Sequence, residues 1–148
     1  MNSVKVCLRI IEVVHCSKFN MTRINAGVDP KELNTKMLIA EHREIKRIPN
    51  VIKSGKAIIN NIPFEFTLGI GHVKFFYNKV LYLQKRYFYI YEECIRRGFK
   101  VTNYSDSFLG IPDHLMNDYS PSDKDRNIIL DRIKERLYES STKTSNAN

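Results

Sequence analysis

From Val73 to Gly98 the apolar residues recur with a helical period: Phe76, Val80, Leu83, Tyr87, Ile90 and Cys94 make a 3-4 alternation, widened by Tyr77, Leu81, Phe88, Tyr91 and Ile95. Such a stripe belongs to a long α-helix that must be covered over a broad face. It stops at Arg96-Arg97-Gly98, where cations meet the negative end of the helix dipole and glycine can turn left-handed. Two further segments supply the cover. Asp29-Pro30-Lys31-Glu32 combines a capping carboxylate, a proline suited to a first helical position and a glutamate able to close a capping box. The helix that follows is expected to end at Pro49, with Leu33, Met37, Ala40 and Ile45 inward and Lys36, Arg43 and Arg47 together on a basic face. Ser120-Pro121-Ser122-Asp123 starts the last helix by the same logic, with Ile129, Ile133 and Leu137 inward and Arg132 and Arg136 on a basic edge. Between the first two, a short helix near Val51 to Lys53 and an irregular stretch through Asn60, Asn61 and Pro63 are expected. The pattern predicts an all-α single domain of three main helices with irregular connections.

A chain of 148 residues suits one core. Its 24 lysines and arginines against 16 acidic residues give a net charge of +8, which favours a polyanionic partner such as nucleic acid over a merely solvated basic surface. Cys7, Cys16 and Cys94 offer neither a disulfide framework nor metal spacing, and His15, His42, His72 and His114 show no ligand cluster, so no metal or cofactor is expected. A reducing, cytoplasmic setting and a monomer follow as the simplest expectations. The apolar stretch Val4 to Val14 is interrupted by Lys5, Arg9 and Glu12, which excludes a signal peptide or a membrane span there.

Met21-Thr22-Arg23-Ile24-Asn25 reads as a protein start, which makes residues 1–20 a doubtful extension, 21–138 the domain and 139–148, small and polar, a disordered tail. Trimming of Met21 leaves the α-amine of Thr22 as the terminus. An α-amine has an ordinary pKa of about 7.7 to 8.0 against about 10.4 for lysine, so near neutrality a useful fraction is uncharged and nucleophilic. Glu44 stands beside Arg43, where neighbouring guanidiniums hold a carboxylate ionised.

Four stretches then become specific: Met21-Thr22-Arg23-Ile24-Asn25, Leu38-Ile39-Ala40-Glu41-His42-Arg43-Glu44, Gly71-His72-Val73-Lys74-Phe75-Phe76-Tyr77 and Glu93-Cys94-Ile95-Arg96-Arg97-Gly98-Phe99. Over roughly Met21 to Leu137 the chain resembles the pyrimidine-dimer DNA glycosylase and AP lyase family of the phage endonuclease V type. The resemblance implies a small all-α enzyme that removes a base at an ultraviolet photodimer in double-stranded DNA and nicks the strand. By position it implies Thr22 as the amino-terminal nucleophile and Glu44 as the essential carboxylate. It likewise implies that Arg23, Arg43 and Arg47 surround the lesion and hold phosphates, and that Arg132 and Arg136 grip the backbone.

Two departures bear on lesion choice. Met37 and Lys36 stand where the family commonly has histidine and glutamine, and Lys143 to Asn148 replace an aromatic-rich end. A same-mechanism lyase acting on abasic sites or other damaged bases is therefore a second reading, and a noncatalytic DNA-binding protein a third, should residues 1–21 be retained. His72 reads as a structural hydrogen-bonding residue rather than a catalyst. The run Tyr82, Tyr87, Phe88, Tyr89 and Tyr91 reads as core rather than as a base-stacking platform.

Overall fold

A computed structural model describes residues 22–146, and among these all regular structure is helical. The α-helices are α1 (Thr35–Glu44), α2 (Arg47–Lys53), the single turn α3 (His72–Phe75), α4 (Val80–Arg96) and α5 (Asp123–Ser145), joined by irregular chain and three 3₁₀ turns. The all-α expectation holds. Residues 1–20, the segment expected to be an extension, lie outside the described residues.

The apolar stripe builds α4 as its period requires. Val80, Leu83, Tyr87, Ile90 and Cys94 are all buried, and α1 and the 3₁₀ turns Pro30–Glu32 and Ser105–Phe108 pack against this helix. The stripe does not run unbroken from Val73: α3 ends at Phe75, and Phe76 packs in the core from the turn between the two helices. Phe88 and Tyr89, expected in the core, are exposed and touch each other edge to face, because α4 is covered on one side only. At its end Arg97 donates to Glu93 and to the Leu33 carbonyl at 2.8 Å, tying α4 to the turn that precedes α1.

The first expected helix divides into three pieces. Asp29 and Glu32 form the anticipated capping box, yet it caps only the 3₁₀ turn Pro30–Glu32; Leu33 is extended, and Asn34 caps α1 afresh by accepting from the Met37 amide at 2.9 Å. Pro49 does not end a helix. It sits in the first turn of α2, where its missing N–H is one that no carbonyl would have accepted. Arg47 therefore opens α2 instead of closing α1, so the basic face with Lys36 and Arg43 is not one continuous helix.

Ser122 and Asp125 form the capping box of α5, and Ile129 is its one fully buried side chain. Arg126 donates to the Gly27 carbonyl and to Glu32, docking the start of α5 against the segment that follows Asn25. Leu137, expected inward, is half exposed, because the helix leaves the body of the protein beyond Ile133. Residues 139–145, whose composition predicts a disordered tail, form the last turns of α5. Their hydroxyls bond to carbonyls three and four residues back, as with Thr144 to Ser140 and Ser145 to Ser141.

Candidate active site

Thr22, Ile24 and Asn25 lie buried, with Arg23 between them only partly so, and the segment is held by α1 and α3. Thr22 is 4% exposed, Ile24 and Asn25 are buried, and two side chains from distant elements seize the backbone. The Ile24 N–H donates to His72 Nε2 at 2.9 Å, and the Asn25 side chain and backbone N–H donate to Glu41 Oε1 at 2.6 and 3.3 Å.

His72 is held in one tautomer. Its Nε2 accepts from Ile24, so the ring proton lies on Nδ1 and is donated to the Thr67 carbonyl at 2.8 Å. Burial, helped by the charge of Arg23 and opposed by the Thr67 carbonyl, pushes its pKa from 6.5 down to about 4. The sign of the linkage is definite. The unfolded chain binds the proton first, so His72 favours the fold above pH 6.5 and loses that contribution as pH falls towards 4, on the order of 3 kcal/mol in all. Urea unfolding across this interval should show the loss, and His72→Asn should flatten it; equal pH dependence in the two proteins would contradict the assignment.

Glu41 carries the second hold. It accepts from Arg86, through both Nε and Nη2, while Arg86 Nη1 donates to the Val28 carbonyl at 3.0 Å. Their side chains are 1% and 7% exposed. A charge removed from water to this degree persists only when paired and hydrogen-bonded. Neither residue is among the site residues expected from the sequence. A glutamate in the seam Leu38, Glu41, Ile45 and an arginine in the seam Leu83, Arg86, Ile90 are nonetheless a readable signal, since each charge interrupts an apolar face that the other's helix covers.

One turn beyond Glu41 on α1 stands Glu44, only 9% exposed although its partners reach into water. Arg43 Nε donates to Oε1 at 3.0 Å, and Arg47 Nη1 from α2 approaches Oε2 at 2.5 Å. The second contact is an ion pair without hydrogen-bond alignment, leaving Oε2 a buried acceptor. The break between α1 and α2 thus still lets Arg43 and Arg47 flank the same carboxylate, as their spacing suggested.

Arg23, Arg132 and Arg136 form a second group. Burial and the charges of Arg136 and Arg132 push the Arg23 pKa from 12.5 down to about 10. It remains protonated near neutrality, so three like charges share one region of the surface. Arg132 pairs with Glu135 at 2.9 Å. An anion placed among these guanidiniums would relieve both the repulsion and part of the desolvation cost, chemistry that suits phosphate better than a cation.

Glu41 links the Thr22 segment to the helix that carries Glu44. Thr22 is three residues, at most about 10 Å, from Asn25, and Glu44 is one helical turn, about 4.5 Å of rise, from the Glu41 that holds Asn25. No group of three or more histidine, cysteine or acidic residues is arranged to hold a metal ion among the described residues, and no helix there is long and apolar enough to cross a membrane. Compared with known protein families, residues 21–106 match the model described as pyrimidine dimer DNA glycosylase.

Proposed function

Because the chain belongs to the pyrimidine dimer DNA glycosylase family and has the role of a DNA repair glycosylase, we propose that it excises cyclobutane pyrimidine dimers through an imine on the α-amine of Thr22 and then cleaves the strand as an AP lyase. The observation that carries this reading is Glu44, a nearly buried carboxylate between two guanidiniums, one turn from the residue that seats the Thr22 segment. The family match also begins at Met21, the residue whose removal frees that amine.

The steps balance without any further reagent but water. Departure of the base breaks the N-glycosidic bond and builds positive charge on the sugar, which the Glu44 carboxylate stabilises at short range. The uncharged amine adds at C1′, and opening of the sugar ring yields a protonated imine. This acidifies C2′; a proton leaves there, and the electron pair expels the 3′ phosphate by β-elimination. Water hydrolyses the imine and restores the amine. The nucleophile must be a chain end, since Thr22 nitrogen following Met21 is an amide with no basic lone pair.

Arg23, Arg43, Arg47, Arg132 and Arg136 serve as phosphate contacts around the lesion. Each neutralised phosphate contributes a log-log salt slope of about −0.9. Exchanging Arg43 or Arg47 for Gln should therefore weaken binding to any duplex and reduce the slope by about one; an unchanged slope would count against phosphate contact.

Ultraviolet-irradiated and abasic duplexes incubated side by side with protein begun at Thr22 test the whole reading. Nicks at both the irradiated and the abasic positions are expected. Cleavage of the abasic duplex alone selects the second reading, a lyase for abasic sites or other damaged bases, and binding without cleavage of either removes the enzyme.

A further inference from the structure

Phe64 and Ile70 stand in water beside this site, 98% and 93% exposed. The segment that bears them is nevertheless closed and fixed. Phe66, between the two, is buried and packs edge to face on His72, Phe75 and Phe76. Its two ends meet, since a Cβ on Gly71 would lie 3.5 Å from Pro63 Cγ, and Gly69 and Gly71, at φ 73° and 91°, turn the chain left-handed on either side of Ile70. Few other residues adopt those angles cheaply. The outward direction of Ile70 is thus set by the backbone.

This tip adjoins the arginines. His72, the residue after Gly71, donates to Thr67 inside the loop and accepts from Ile24, the neighbour of Arg23. The charge of Arg23 is felt at His72, and those of Arg132 and Arg136 at Arg23. A rigid apolar projection next to clustered guanidiniums fits a partner that is anionic outside and flat and apolar within, which is the chemistry of a nucleic acid duplex with phosphates on its edge and base faces inside. Side chains inserted between base steps hold a kink open at a cost that a poorly stacked lesion lowers.

We infer that Phe64, supported by Ile70, is a wedge that enters the base stack at the damaged step and keeps the bent duplex open while the sugar reaches Thr22. The inference rests on the DNA repair reading above. Phe64 makes the test clean, because a side chain this exposed can be changed without disturbing the fold.

The probe is a duplex carrying a tetrahydrofuran abasic analogue, with 2-aminopurine as the opposing base. Wild-type protein should raise its fluorescence by unstacking it. Phe64→Ser should lose most of that rise and about tenfold in affinity for the lesion duplex, about 1.4 kcal/mol. Its affinity for undamaged duplex, the salt slope, and borohydride trapping on single-stranded abasic DNA should stay as in wild type, and Phe64→Trp should restore the rise. Wild-type fluorescence and affinity in the serine variant would overturn the wedge, as would a changed oligomeric state with unaltered DNA distortion, which would assign the tip to a protein contact. Failure of wild-type protein to prefer the lesion duplex or to be trapped would instead strike the underlying reading.

Discussion

Glu44→Gln should lower single-turnover cleavage of dimer-containing duplex by a factor on the order of 10² to 10³ or more, the range found when one group that stabilises transition-state charge is removed, while DNA binding stays nearly intact. The amide preserves size and shape, and its oxygen can still accept from Arg43. What disappears is the negative charge next to the forming oxocarbenium. Arg43 and Arg47 keep their charges for phosphate, and the like-charge repulsion between Glu44 and the DNA backbone is gone, so affinity should hold or rise slightly. Loss of binding in step with cleavage would make Glu44 a structural partner of its arginines and nothing more. A variant that cuts within a few-fold of wild type would refute the role altogether.

The second large effect concerns stability. Glu41→Leu leaves Arg86 buried without its counter-ion and strips Asn25 of its acceptor, and breaking a buried pair from one side costs about 3–5 kcal/mol. The double variant Glu41→Leu, Arg86→Met should recover most of this in urea unfolding, because two apolar side chains in two packed seams need no partner. Recovery of stability should not bring full activity with it, since Asn25 remains unheld and the Thr22 segment loses one of its two anchors. A single variant within about 1 kcal/mol of wild type would show that the pair is not needed to seat this segment, a far smaller cost than a buried unpaired charge entails.

These cases show what could be read from the chain. The period of Val80 to Cys94 specified α4, and the Ser122 to Asp125 pattern specified where α5 starts, because both signals are local and act within a turn or two. The capping box at Asp29 is equally local and forms as its residues indicate, yet it does not fix the length of the helix it starts; the extended Leu33 follows from burial against the core, which no cap encodes. Pro49 is ambiguous in the sequence because the same residue ends one helix or opens another, depending on where the preceding helix stops. Exposure of Phe88, Tyr89 and Leu137 depends on which flank of a helix finds cover, a property of the assembled fold.

The candidate site was legible in unequal parts. Arg43 and Arg47 flank Glu44 as their three- and four-residue spacing allows, even across a helix break. The approach of Arg23 to Arg132 and Arg136 joins positions more than a hundred residues apart, and only the resemblance to a known family pointed to it. His72 reads in the sequence as a hydrogen-bonding residue, but its partner, the amide of Ile24, is 48 residues away and carries no side-chain signal.

Trapping with borohydride on an abasic duplex, followed by peptide mass mapping, tests the nucleophile most directly. Protein whose first residue is Thr22 should give a covalent adduct on the α-nitrogen of that residue, and protein that keeps the residues before it should give none there. An adduct on a lysine, or full strand cleavage by protein in which Met21 remains joined to Thr22, would contradict the account.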